Sequence, residues 1–350
     1  MTSGPDEDLK ALTAMAATFA QRQISRRVAA LAETDSLDRA VLADLAGAGL
    51  LQLGLPESAG GQGADLAATA RVVFELARVS PSIAMALVHA HTAASALLAA
   101  AEPADSAADS QVLIAGFCRP GELTRPGEEQ SPEHFAANYP PESPPPTARL
   151  DLGLGPDHVL VMDQATAHTY LIPAAAIPPG PPQRRSGLPG LGTRVARFDP
   201  GAVARLAWAG DDHQRALAAA VRWWAAGTAM CALGAADAAV ERAASYAGTR
   251  IQFGTRLTAI PTIARSLEQA RRSVSAATSE VLGHCAGSGT WPAGLARRGT
   301  NVAVRVCLDM IGVFGGYGYL TEYTVESLLR DAVSLRAAAQ AAPAMAAAAT

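Results

Sequence analysis

Sixteen of the 23 prolines fall between Pro120 and Pro200. A proline inside a helix costs about 3 kcal/mol, so the two long flanks can be mainly helical and the middle cannot. This asymmetry predicts an α, β, α order along the 350 residues. The expected divisions are an N-terminal α-helical domain over 1–110, a reduced, Pro-rich β domain over 111–205 and a C-terminal four-helix bundle over 206–350. The chain should be mainly α with a small central β module.

Within the first flank, Asp35 or Ser36 can cap a helix carrying Leu37, Val41, Leu42, Leu45 and Leu50, ended by glycines and followed by the loop LPESAGGQGAD. Two further helical stretches, over 66–79 and 82–100, have little polar surface and belong deep in the α module. The middle holds β-like runs over 111–117, 158–162 and 169–173, and PPESPPPT reads as an extended surface loop. Helical patterning returns over 214–247, 263–285, 294–313 and 324–348, four segments with short connections that suggest an antiparallel bundle. The tail AAAQAAPAMAAAAT is expected to fray, since Pro343 interrupts it and alanine buries little area.

The formal charge of −4 argues against a general nucleic-acid binder, which needs a basic face, and no membrane or acidic partner is indicated. Lys10 is the only lysine and the other 27 basic residues are arginine, which removes nearly all support for Schiff-base chemistry or a lysine-dependent phosphate loop. The bias itself reads as coding composition. Cys118, Cys231, Cys285 and Cys307 form no CxxC pair, so neither a zinc ribbon nor a disulfide framework is suggested. An acidic N-terminus, MTSGPDEDLK, lacks signal-peptide character, and the apolar stretch 223–236 is stopped by Asp237 short of a bilayer span. A soluble cytoplasmic protein with reduced thiols is expected.

Two loops between the late helices are unusual: RIQFGTRL (250–257) and VFGGYGYLTEYTVESLLRD (313–331). With CALGAAD (231–237) one helix earlier, their order and spacing resemble the C-terminal bundle of the acyl-CoA dehydrogenase family. LAGAGLLQLGLPESAGGQGAD (45–65) is similar to the family's leucine/glycine helix end and proline-acid-glycine loop. The resemblance covers roughly residues 36–100 and 205–336, and implies the family's α, β, α fold.

Such loops suit anion and ring binding. Arg250 begins a turn between two helices, where a guanidinium can clamp a pyrophosphate through charge-assisted hydrogen bonds. Phe253 offers a face for a purine, and Gly315, Gly316 and Gly318 let backbone approach a cofactor. The same residues also suit bland roles: an arginine neutralising helix carbonyls, a core phenylalanine, and glycine caps. In the family the matching positions contact FAD, largely across a subunit interface. The resemblance thus implies Arg250, Gln252, Phe253, Gly315 and Gly316 as FAD contacts, with an acyl-CoA or acyl-carrier thioester as substrate. It also implies a homo-oligomer, or a hetero-oligomer with a homologous subunit.

The family's reaction needs a carboxylate to take the α-proton of the thioester while the β-hydrogen leaves as hydride to the flavin. At the usual glutamate position after Arg330 and Asp331 this chain has Ala339, with Gln340 at the following glycine; at the alternative position, on the helix before RIQFG, it has Trp224. Neither side chain accepts a proton, so the catalytic residue is unassigned. Asp237, Glu241, Glu322 and Glu326 read as helix surface charge or caps. Glutamines usual before the GG loop and after RxQFG are replaced by Gly312 and Pro261, and the β module has only CRPGELTRP (118–126) where a Thr-Glu-Pro segment is usual.

His89 and His91 are two positions apart on a helix and should point away from each other, so no metal site is expected. The glycines of VFGGYGY follow a helix rather than a strand, unlike a Rossmann turn, and no Ser/His/Asp arrangement stands out. Trp223 and Trp224 read as packing residues. Three functions fit. The first is a flavin-dependent dehydrogenase oxidising the CH–CH bond of an acyl thioester. The second is a non-catalytic partner subunit of a hetero-oligomeric acyl-CoA dehydrogenase, and the third a flavin-dependent monooxygenase on the same fold.

Overall fold

The computed structural model describes residues 5–31, 36–100, 113–118, 147–163, 167–178, 186–197, 205–287, 291–292 and 294–341. The first flank opens with a helix that the sequence pattern does not announce. Here α1 (Pro5–Phe19) continues through a π turn (Ala20–Ile24) and a 3-10 turn (Ser25–Arg27) into α2 (Val28–Leu31). Its buried stripe of Ala16, Ala20 and Ile24 has helical spacing but little apolar contrast, so periodicity marks it weakly.

Next, α3 (Arg39–Gly47) is capped by Asp38, whose carboxylate accepts the Ala40 N–H at 2.9 Å. This corrects the expected cap at Ser36 or Asp35: Asp38 is the extended residue immediately before the helix, and Asp35 lies outside the described residues. Asp65 caps α4 (Leu66–Ala77) through the Ala68 N–H, and Ser80 with Pro81 starts α5 (Pro81–Ala99). Almost the whole first two-thirds of α5 is buried, His89, His91 and Thr92 included.

Six strands make one sheet in the order β5-β2-β1-β3-β4-β6. They are β1 (Leu113–Cys118), β2 (Thr147–Asp151), β3 (His158–Asp163), β4 (His168–Pro173), β5 (Thr193–Arg197) and β6 (Arg205–Ala209). β1 runs parallel to β3, and the other neighbours are antiparallel. The three strands expected from sequence are present with small shifts. β2, β5 and β6 escape detection because arginines and an aspartate interrupt their short runs. β6 straddles the division expected between 205 and 206. Of PPESPPPT only Thr147 is described, as the first residue of β2.

The second flank begins with α6 (Gly210–Thr249), a 40-residue helix about 60 Å long. It packs against α4, α5, α7 (Pro261–Ala286), α8 (Leu295–Phe314) and α9 (Val325–Ala341). Small residues permit this crowding: a Cβ on Gly234 would lie 2.4 Å from the Phe74 carbonyl oxygen of α4. One apolar core runs through all three modules. The sheet is tied to α9 where the Leu188 N–H donates to Asp331 at 2.6 Å and the Arg330 guanidinium donates to the Ser186 carbonyl at 2.6 Å. Burial pushes the Asp331 carboxyl up to about 6.

Pro81–Ala99, Gly210–Thr249 and Leu295–Tyr319 are each long and apolar enough to cross a membrane, which corrects the expectation of a stretch too short to span. The most apolar windows of the first two are 67% and 78% buried inside the protein, so packing accounts for their hydropathy; that of the third is 39% buried.

Candidate functional site

Two places matter: an exposed corner at the end of α6 and α8, and a buried junction between α5, α6 and α9. At the corner, Arg250 ends α6 and its N–H donates to the Tyr246 carbonyl at 2.9 Å. A two-rung hairpin follows, β7 (Ile251–Gln252) with β8 (Thr255–Arg256), and its tip residues Phe253 and Gly254 both have positive φ, +53° and +77°. Consecutive positive φ values are those of the tight turn matching strand twist. Phe253 incurs a conformational penalty there and gains no burial, being 94% exposed.

At the end of α8, Gly315 (φ +60°) caps the helix and a 3-10 turn, Gly315–Tyr319, follows. A Cβ on Gly315 or Gly316 would meet nothing within 4 Å, so both present open backbone. Gly318 differs: its Cβ would lie 2.8 Å from the Ile311 carbonyl oxygen, which makes it a packing glycine and corrects its expected cofactor approach. The two loops meet, with the Arg250 guanidinium carbon 5.4 Å from the Tyr317 ring centre. Tyr317, Tyr323, Tyr246 and Phe314 form a ring cluster beneath, Tyr246 stacking on Phe314 at 4.5 Å.

Among the described residues Arg250 has no acidic partner, and its Nε is buried without a hydrogen bond. An unpaired guanidinium donor beside bare glycine backbone and an uncovered aromatic face fits a pyrophosphate and a purine. These features suit the adenine end of FAD; Gln252 stands on the exposed hairpin beside them. At the other end, Gly312 is exposed and Pro261 serves as the first residue of α7. The CRPGELTRP segment beyond Cys118 lies outside the described residues.

At the junction, Ala339 is fully buried and Trp224 nearly so. The Trp224 indole N–H donates to the Ala338 carbonyl at 2.9 Å, so the two sequence positions lacking a carboxylate adjoin in space. His89 packs edge-on to Trp224, ring centres 5.0 Å apart. Its Nε2 lies 3.0 Å from Asp151 Oδ2 on β2, and the other oxygen of Asp151 accepts a hydrogen bond from Thr193 of β5. His89 Nδ1 is buried with no hydrogen-bond partner. This His89–Asp151 pair is invisible in the sequence because its members lie 62 residues apart in different modules.

His91 turns the other way, stacking on Trp223 at 5.3 Å and donating through Nε2 to the Leu50 carbonyl at 3.1 Å. Burial pushes its pKa down to about 4, so it is neutral. Of the carboxylates singled out from sequence, Asp237 and Glu241 join Glu75 around Arg78, and Glu326 pairs with Arg330 at 2.7 Å. Glu322 sits in the first turn of an exposed 3-10 helix, Thr321–Tyr323. Among the described residues no group of three or more His, Cys, Asp or Glu is placed to hold a metal ion.

Residues 6–106 match the family described as acyl-CoA dehydrogenase, N-terminal domain, and residues 214–339 match acyl-CoA dehydrogenase, C-terminal domain. An acyl-CoA dehydrogenase of Bacillus subtilis (strain 168) is 27% identical over 91% of this chain and 90% of that protein. The benzylmalonyl-CoA dehydrogenase of Aromatoleum aromaticum is 26% identical over 93% and 92%. Among solved structures, butyryl-CoA dehydrogenase from Megasphaera elsdenii superposes with a TM-score of 0.75 at 19% identity, covering 96% of this chain and 95% of that one.

Proposed function

The chain belongs to the acyl-CoA dehydrogenase family, and on that premise we propose that it serves flavin-dependent oxidation of the CH–CH bond of an acyl thioester. The observation carrying this reading is the corner where Arg250 keeps a buried, unpaired Nε beside the open backbone of Gly315 and Gly316. Arg250 would hold the pyrophosphate of FAD through charge-assisted hydrogen bonds, Phe253 would offer a face to the adenine, Gln252 would add a polar contact, and Gly315 and Gly316 would let the backbone come close to the cofactor. FAD supplies the hydride acceptor when bound. The acyl group is carried on CoA or an acyl-carrier protein, and the protein works in the cytoplasm, which its free, buried Cys231, Cys285 and Cys307 suit.

The test is the flavin spectrum of the purified chain and its anaerobic response to acyl thioesters. Bleaching of bound flavin by a thioester is the expected result. A protein that binds no flavin, alone or with a homologous chain, refutes the reading.

A second reading is favoured by a specific observation: Ala339 is buried and Trp224 packs beside it, so neither position supplies a carboxylate. In that reading the chain is a non-catalytic subunit, contributing its corner to a hetero-oligomer while a homologous chain brings the proton acceptor. Turnover by a pure homo-oligomer excludes it.

A further inference from the structure

Resting on the thioester-oxidation reading, we propose that His89, held by Asp151, is the chain's own proton acceptor, taking the part of the carboxylate absent at Ala339 and Trp224. An ionised carboxylate only accepts hydrogen bonds, so the 3.0 Å contact between His89 Nε2 and Asp151 Oδ2 places the ring proton on Nε2. In the neutral ring that tautomer leaves a lone pair on Nδ1. That atom is buried and has no hydrogen-bond partner. A proton on that atom would be a buried donor with no acceptor, so the geometry favours the tautomer that carries its proton on Nε2.

Asp151 is itself fixed by the Thr193 hydroxyl, which leaves the aspartate aimed at the imidazole. This is the division of labour in hydrolytic triads, where the aspartate sets the tautomer and stabilises the imidazolium once a proton arrives. The location suits a proton acceptor, because a single ring, Trp224, separates His89 from the Ala338 carbonyl, and Ala339 is the next residue.

In the proposed step the thioester's α-carbon loses its proton to His89 Nδ1. The electron pair of that bond becomes the new C=C bond, and the β-hydrogen departs with its own pair as hydride to the bound FAD, the two-electron oxidant. The imidazolium then returns its proton to solvent.

Two readouts test this. Heteronuclear NMR of the histidine side chains in the full chain should find His89 protonated on Nε2 and bare on Nδ1 at neutral pH; the opposite tautomer overturns the proposal without reference to turnover. Secondly, His89→Gln in the FAD-loaded protein should slow anaerobic flavin reduction by an acyl-CoA about 10²- to 10⁴-fold at unchanged flavin content. Added imidazole should restore part of the rate to His89→Gly, which loss of a structural contact would not allow. Because His89 is buried, Asp151→Asn is the second variant, expected to slow reduction and displace the acid limb of its pH profile.

Full-rate reduction by His89→Gln, or an unaltered rate and profile in Asp151→Asn, overturns the assignment. So does reduction that appears only when a homologous chain bearing a carboxylate base is added. Failure of every preparation to bind flavin removes the underlying reading instead, a result distinct from bound flavin that His89→Gln reduces normally.

Discussion

The corner and the junction differ in how far the chain satisfies its own side chains. At the corner several groups gain little from the chain itself: a buried guanidinium Nε with no hydrogen bond, a phenylalanine at positive φ with its ring in water, and open backbone at Gly315 and Gly316. At the junction Ala339 and Trp224 are buried, and His89 packs edge-on to the indole. One region leaves groups open, while the other is satisfied almost entirely within the chain.

The contrast can be broken by asking which region carries stability and which carries flavin. The largest effect is expected from Trp224→Ala, which empties a buried indole site and should cost about 3 to 5 kcal/mol in urea denaturation, with the flavin content of the folded fraction preserved. Equal loss of flavin would show that the regions are not separable.

Acid should act on the junction next. His91 is held neutral by burial, with its pKa lowered from 6.5 to about 4, whereas the unfolded chain takes up a proton below about 6.5. The stabilisation is thus fully present above about 6.5 and is lost as pH falls through about 4, a contribution on the order of 3 kcal/mol. His213, also pushed down to about 4, titrates in the same window. His91→Phe should therefore flatten part of the acid limb in a pH series of urea melts; an unchanged slope would remove His91 from the explanation.

Arg250→Ala inverts the pattern. It should weaken FAD binding about 10- to 100-fold by titration, the worth of a charged hydrogen-bonding group, while the unfolding midpoint stays near that of the parent chain. Smallest of all, Phe253→Ser should leave stability within about 0.5 kcal/mol, because the ring touches little, and reduce FAD affinity about threefold to tenfold. A large stability loss in either corner variant would mean the hairpin supports the fold after all.

The α, β, α order is legible because proline acts locally, and the long helices because apolar, proline-free runs persist through them. Asp38 is easily mistaken for a cap at Ser36 because capping residues cluster there and only backbone geometry distinguishes them. α1 escapes because its buried stripe is mostly alanine, and β2, β5 and β6 because charged residues break their alternation. At the corner, Arg250, Phe253 and the glycines stand out from spacing, but the packing role of Gly318 depends on Ile311 lying behind it. The junction is the least readable part. That Trp224 reaches Ala338, and His89 reaches Asp151, follows from how α5, α6, α9 and the sheet are docked, which no local pattern encodes.

The 40-residue helix α6 works as a ruler. Trp224 sits part-way along it and Arg250 at its end, 26 residues later, so the two are about 39 Å apart. In the proposed reading, a dinucleotide held at Arg250 would serve the junction of a second copy rather than the one about 39 Å away along its own helix. Each working centre would then be a composite, and two defective proteins, one crippled at each mark on the ruler, should restore each other when mixed.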